Sequence, residues 1–278
     1  MFAVPAALVV LLVILFPWAF TLFMSVHDWK VTGATPYVGL ANYARMLHDE
    51  RFQWAVIRTL YFTVASVITP LLLGVWAAVC FSSQFKLRGL ARTVFVLPMM
   101  ATPVAIALVW TMMFHPQLGV LNYLLTSVGL PPSSWVYSST TVIPTLVMVE
   151  TWQWTPLVML IVLGGIASLP QDPYEAAILD GANGWQMFRH ITLPLVWPFL
   201  MVAAVIRLID ALKTFDTIYV ITLGGPGTSS ETLNILLYQT AFAYYDLGYG
   251  SAMVVVFFVL ILLVSLLLLR FRTREGSR

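Results

Sequence analysis

The feature that most constrains this chain is where its charges are missing. No ionisable Asp, Glu, Lys or Arg precedes Asp28, and none falls between Arg58 and Lys86, Arg92 and Glu150, Glu150 and Asp172, or Asp246 and Arg270. A helix needs about 20 apolar residues to cross a hydrocarbon core of about 30 Å. The gaps therefore predict spans near Val4–Val26, Leu60–Phe81, Val94–Phe114, Val142–Ala167, Leu195–Ile218 and Ala252–Leu269. The gap after Arg92 is too long for one helix, and Pro116, Gly119, Gly129, Pro131 and Pro132 divide it into a span, a connector and the start of the next span. The expected fold is an all-α, polytopic membrane domain of six helices occupying the whole chain, 1–278. Strands of an outer-membrane barrel would alternate polar and apolar residues, and these runs do not.

Composition agrees. Hydrophobic residues make up 60% and charged residues 9% of the chain, too few charges to cover a water-exposed surface. A net charge of +2 is too small for a nucleic-acid partner. Cys80 is the chain's one cysteine, so neither a disulfide framework nor a thiolate metal site can be built. The histidines at 27, 48, 115 and 190 are scattered, so no metal site is expected. The first apolar run is too long for a signal peptide and no small-residue cleavage site follows it.

The connector between the second and third spans carries Lys86, Arg88 and Arg92 without an acid, and the C-terminal tail carries Arg270, Arg272, Arg274 and Arg278. By the positive-inside rule both termini and the even-numbered connectors are cytoplasmic. The first connector dissents, because Lys30, Arg45, Arg51 and Arg58 would lie outside, and Asp28, Asp49 and Glu50 offset them only partly.

The fourth connector, Leu169 to Pro194, carries the most information. Asp172 is expected as an N-cap, with Pro173 at the first helical position and Glu175 at capping-box spacing. Gly181 is expected to end this short helix in a left-handed conformation. A second short helix, about Trp185 to Ile191, is expected to stop at Pro194. The segment resembles the EAA loop of the membrane subunits of ATP-binding-cassette (ABC) importers, whose pattern is Glu-Ala-Ala, three residues, Gly, nine residues, Ile, one residue, Leu-Pro. Glu175, Ala176, Ala177, Gly181, Ile191, Leu193 and Pro194 match at every fixed position. The resemblance implies a type I importer permease in the bacterial inner membrane. Its coupling helix, with Glu175, Ala176, Ala177, Asp180 and Gly181, would dock on a nucleotide-binding subunit.

Further elements resemble one branch of that family, the carbohydrate permeases of the maltose and glycerol-phosphate type. They are Gly39-Leu40-Ala41-Asn42-Tyr43, Trp152-Gln153-Trp154-Thr155-Pro156, Phe215-Asp216 with Ile218-Tyr219, and Gly224-Gly225-Pro226-Gly227. Arg58-Thr59 departs from an expected Asn-Thr. This branch implies uptake of a sugar or sugar derivative by alternating access. It also implies three kinds of partner besides the bilayer: a second, different permease chain, an ATPase dimer, and a periplasmic or lipid-anchored solute-binding protein. Tyr37–Leu47 and the uncharged stretch 115–139 are candidate docks for that binding protein, or segments lying on lipid headgroups. No catalytic residue is expected. Lys30, Lys86 and Lys213 are not preceded by Gly, so no P-loop is present. ATP and Mg²⁺ would bind the partner ATPase, and this chain would hold no cofactor.

Ionisable residues at membrane depth usually face a cavity or one another. Arg207, Asp210, Ala211 and Thr214 share a helical face in the fifth span. Related permeases contact sugar at about this distance beyond the EAA motif. Arg207 could pair with Asp210 three residues on, or meet an anionic sulfonate, phosphate or carboxylate on the substrate. Glu150, Gln153 and Trp154 form a second candidate wall of the pathway, with Glu150 a possible countercharge for Arg207 or Lys213. Two rivals remain: an ion-coupled secondary transporter, which would leave the EAA loop unexplained, and a structural or assembly membrane protein.

Overall fold

The computed structural model describes residues 3–29 and 35–275. Lys30 and Arg278, used in the orientation argument, lie outside the described residues. The described residues form helices α1 (Ala3–Ser25), α2 (Ala41–His48), α3 (Glu50–Ser82), α4 (Arg88–Met100), α5 (Pro103–Met113), α6 (Val120–Ser127) and α7 (Val142–Ala167). They continue with α8 (Asp172–Leu179), α9 (Gly184–Lys213), α10 (Asp216–Thr222), α11 (Leu233–Ala243) and α12 (Leu247–Glu275). Among these residues there is no β-strand, only an isolated antiparallel bridge between His27 and Tyr37. The all-α expectation holds.

Four helices, α3, α7, α9 and α12, are long and apolar enough to cross a membrane, and the bent pair α4 and α5 gives a fifth candidate. The count of six is therefore not reproduced in full among the described residues, where α1 contributes only the shorter apolar stretch Val9–Ser25. The third expected span is not one continuous helix. It breaks after Met100 and turns by 98°, because Ala101 and Thr102 are both extended and the residue before Pro103 is sterically pushed out of the helical region. Span two starts ten residues earlier than expected, at Glu50 instead of Leu60. The fourth span, Val142–Ala167, has the predicted ends. The fifth ends at Lys213 instead of Ile218, and the chain re-enters a separate helix at Asp216.

The chain divides into two compact units. The first comprises residues 1–59 and 231–266. Its core joins Met46 and Ala55 to Leu233, Leu236, Tyr249, Ala252, Met253 and Phe257. The Asn42-Tyr43 pair fastens α2 to the end of α1: the Asn42 amide donates to the Ser25 and His27 carbonyls at 3.0 and 3.1 Å, and the Tyr43 hydroxyl donates to Ser25 Oγ at 2.8 Å. Two arginines of the first connector meet acids within the same unit. Arg45 meets Asp246 at 2.9 Å, Arg51 forks onto both oxygens of buried Glu231, and Tyr249 donates to Asp49 at 2.7 Å. A bidentate guanidinium–carboxylate pair is among the stronger polar contacts a protein makes.

The second unit comprises residues 60–230 and 267–278. Val75, Ala77 and Ala78 of α3 pack on Val158, Met159, Val162 and Leu163 of α7 and on Val196 and Ala203 of α9. Two glycines allow the close crossings, as small residues do between membrane helices. A Cβ at Gly74 would lie 2.6 Å from Val158, and one at Gly165 would lie 2.7 Å from the Phe199 ring. The hydroxyls of Thr69 and Thr151 bond across α3 and α7 at 2.5 Å.

Candidate coupling loop and translocation pocket

α8 opens differently from the sequence reading. Gln171 already has helical dihedrals and is the N-cap, without a side-chain capping bond, so Asp172 sits at the first helical position and caps nothing. Asp172 and Glu175 both remain in the first turn, where the helix dipole favours acids. The capping box in this connector belongs instead to α9: Asn183 Oδ1 accepts from the Gln186 amide at 3.0 Å, and Gln186 Oε1 accepts from the Asn183 amide at 2.8 Å.

Gly181 ends α8 as expected, at φ +75°. Its N–H donates to the Ile178 carbonyl and the Ala182 N–H donates to the Ala177 carbonyl, the paired bonds of a Schellman motif. Pro194 does not stop the second helix. Residues 188–192 form a π-helical turn, in which the Leu193 N–H reaches five residues back to the Phe188 carbonyl. That extra residue in the turn accommodates a proline that would otherwise meet the carbonyl four residues before it. Gly184 to Lys213 thus runs as one helix. Tyr174 was not singled out by sequence, yet its hydroxyl bonds Thr192 Oγ1 at 2.9 Å and ties α8 to the π-helical turn.

No residue of α8 is buried. Glu175, Ala176, Asp180 and Gly181 are exposed and Ala177 is half-buried. Leu179 is 88% exposed, and Ile178 and Trp185 are exposed with it. An apolar tip flanked by acids and small alanines is a surface built to be covered.

The second site is a pocket of about 330 Å³ in the second unit. Of the expected pathway residues, Glu150, Trp154, Arg207, Asp210 and Thr214 line it together. Gln153 and Ala211 are buried and do not line it. Of the protein partners considered for Arg207, Glu150 is the one it meets: Arg207 Nη2 donates to Glu150 Oε2 at 3.0 Å, and its guanidinium carbon stands 4.9 Å from the centre of the Trp154 ring. Both members of the pair are buried. The pocket also takes in Pro103, Lys213, Phe215, Asp216 and Thr217. Lys213 enters the sequence reading only as a charge at depth and a possible partner of Glu150. Phe215, Asp216 and Thr217 are missed as pocket residues because that reading carries the fifth span through to Ile218, and Pro103 because it lies inside an expected continuous third span. The fifth-span helix instead ends at Lys213, and Asp216 to Thr222 forms the separate helix α10. Lys213 and Asp216 are exposed, and Asp210 is half-buried.

The sequence pattern of the family described as binding-protein-dependent transport system inner membrane component matches residues 70–275. The chain is 36% identical over 270 residues to the trehalose/maltose transport system permease protein MalF of Thermococcus litoralis, covering 96% of this chain and 90% of that protein. It is 34% identical over 275 residues to the sulfoquinovosyl glycerol transport system permease protein SmoG of Agrobacterium fabrum, covering 98% and 89%. The crystal structure of a bacterial ABC transporter involved in import of the acidic polysaccharide alginate contains a chain of the same fold, with a TM-score of 0.84 at 22% identity over 97% of this chain and 93% of that one. Matched over most of its length and carrying the EAA motif on an exposed helix, the chain belongs to the binding-protein-dependent transport system inner membrane components, the permeases of ABC importers.

Proposed function

We propose that this permease forms one half of the pore of an ATP-driven importer of a sugar or sugar derivative, working by alternating access. A second permease chain supplies the other half, an ATPase dimer binds ATP and Mg²⁺, and a solute-binding protein delivers substrate from outside. This chain supplies no catalytic residue and binds no cofactor. The observation that carries the reading is α8, an exposed helix whose apolar tip projects from the loop joining two membrane-crossing helices. Glu175, Ala176, Ala177, Asp180 and Gly181 form the joint with the ATPase, and Leu179 is its apolar peg.

The substrate path runs past Glu150, Trp154, Arg207, Asp210 and Thr214, with Gln153 and Ala211 supporting the wall from behind. The trehalose/maltose and sulfoquinovosyl glycerol relatives support a sugar or glycoside as substrate. The Trp154 ring and the acids at 210 and 216 suit sugar faces and hydroxyls. Arg207 is held by Glu150, so an anionic substituent would meet Lys213 at the rim.

Both termini and the coupling loop are cytoplasmic in this reading. Lys86, Arg88, Arg92 and the arginine tail support that orientation, and the pairing of Arg45 and Arg51 with acids weakens the objection raised by the first connector. The test is co-reconstitution of the full complex in liposomes. ATP-dependent sugar uptake is expected, with uptake and binding-protein-stimulated ATPase both lost in Leu179→Asp. Uptake that persists without ATP on an ion gradient would overturn the proposal.

A further inference from the structure

The connector from His115 to Ser139 links α5 to α7 on the side of the membrane opposite the coupling loop, since α7 crosses between them. It is folded rigidly around one buried amide. Asn122 Nδ2 donates to the Pro116 and Ser133 carbonyls at 2.9 and 3.0 Å, while Oδ1 accepts from the Ser133 N–H at 3.0 Å and from Trp135 Nε1 at 2.8 Å. Both protons and both lone-pair positions of that side chain are used. The face that α6 turns outward is therefore fixed.

That face is apolar apart from exposed Ser127, whose hydroxyl donates to the Leu124 carbonyl at 2.8 Å. Val120, Tyr123, Leu124 and Val128 fall at positions i, i+3, i+4 and i+8 on one side of the helix, and all four are exposed. Tyr123 is 73% and Val128 71% exposed, and Leu118, just before the helix, is 86% exposed. The opposite face carries Leu121, Asn122 and Leu125, which are half-buried or buried against the connector. A helix that turns its polar Asn122 inward and Val120, Tyr123 and Leu124 outward is not a water-facing helix. No Asp, Glu, Lys or Arg occurs from Thr93 to Val149, so neither α6 nor the segments on either side of it in the chain carry such a charge.

We infer that α6 and its flanking residues Leu118 and Val128 lie in the headgroup–acyl boundary of the outer leaflet, as an interfacial helix with its outward face in lipid. Three observations favour lipid over a soluble protein as the occupant. The exposed apolar surface continues without a charge from the lipid-accessible side of α5, where Leu108, Val109 and Met112 are exposed. Both ends of the connector join helices of membrane-crossing segments, so it starts and finishes at the boundary itself. A delivering protein also comes and goes, and between visits this face would stand bare in water, whereas a bilayer covers it permanently. Tyr123 and Tyr137 supply the amphipathic rings that favour such a boundary.

The test uses the assembled transporter in vesicles of phosphatidylethanolamine and phosphatidylglycerol. On a Cys80→Ser background, Tyr123→Cys and Val128→Cys carry an environment-sensitive fluorophore. Leu108→Cys is the lipid reference, and the dye–glutathione conjugate is the water reference. Both connector positions are expected to be quenched several-fold more strongly by lipids spin-labelled near the headgroup than by iodide, and saturating solute-binding protein should leave that unchanged. Iodide quenching like the water reference would overturn the inference. So would iodide quenching that the binding protein relieves, which would make the face a protein dock. Insensitivity to both quenchers would assign it to contact with another subunit and overturn it equally.

Discussion

Arg207 shows how membrane burial sharpens the meaning of a single charge. As a residue in a sequence it has three possible partners, Asp210, Glu150 or a substrate anion. In the structure Glu150 takes it, from a helix 57 positions away in the chain, with Trp154 beside it. Removing one partner of a buried pair leaves the other charge without compensation, at a cost of about 3–5 kcal/mol. Arg207→Ala is therefore expected to lower the thermal stability of the purified complex as well as its uptake. Removing both charges together, with Glu150→Gln and Arg207→Gln, should recover most of that stability, which a thermal-unfolding series in detergent would measure. Equal losses in the single and double variants would dissolve the pairing as a stabilising contact. Lys213 belongs to the same pocket but is exposed. Lys213→Ala is expected to spare stability and to reduce uptake of a sulfonated or phosphorylated glycoside more than that of its neutral parent. Competition assays with the two forms would show this, and parallel losses for both would remove Lys213 from substrate recognition.

At the scale of elements, Gly181 is legible from sequence and the start of its helix is not. A glycine at a C-terminal helix cap has a specific physical task, and φ +75° with two Schellman bonds confirms it. Asp172 and Glu175 fitted a capping box, but Gln171 had already entered the helix, so the spacing was right and its frame was one residue off. The same limit explains the fifth span. Apolar content carries on past Lys213, and nothing in the hydropathy marks the turn at Thr214 that brings Phe215, Asp216 and Thr217 into the pocket. Pro194 and Pro103 make the opposite pair. One was expected to break a helix and is absorbed by a π-helical turn, whereas the other, preceded by two extended residues, bends its span by 98°. Composition therefore reads depth well and reads direction poorly. The consequence for α8 is testable. It is only eight residues long, too short to be stable in isolation, and an alanine in the left-handed region at 181 adds about 1–2 kcal/mol of strain. Gly181→Ala should fray the helix and reduce stimulated ATPase activity and uptake together, with the complex still co-purifying. Full activity in that variant would show that the cap conformation is dispensable.

For the molecule as a whole, the question is how a chain without a P-loop can be driven by ATP. In the proposed mechanism force enters at α8 and must be felt at the pocket, and α7 and α9, the two helices that flank α8, supply the pocket's Glu150, Trp154, Arg207 and Asp210. These helices are joined along their length within the second unit, by the Glu150–Arg207 pair, by the core that Val158, Met159, Val162 and Leu163 share with Val196 and Ala203, and by the packing of Gly165 against Phe199. Attachments at several levels make them move together, and loosening one leaves the joint with the ATPase intact while weakening what it moves. The Gly165 contact separates these effects because it touches neither the pocket nor the coupling helix. A Cβ there would approach the Phe199 ring to 2.7 Å, well inside ordinary van der Waals contact, so Gly165→Val must displace the Phe199 side chain or push α7 and α9 apart. The expected outcome is ATP hydrolysis that is still stimulated by the binding protein and a fall in sugar transported per ATP hydrolysed, measured in proteoliposomes. Phe199→Ala combined with Gly165→Val relieves the clash and should restore part of that ratio. If Gly165→Val instead lowers hydrolysis and transport in proportion, the two helices do not act as a lever and the signal reaches the pocket by another route.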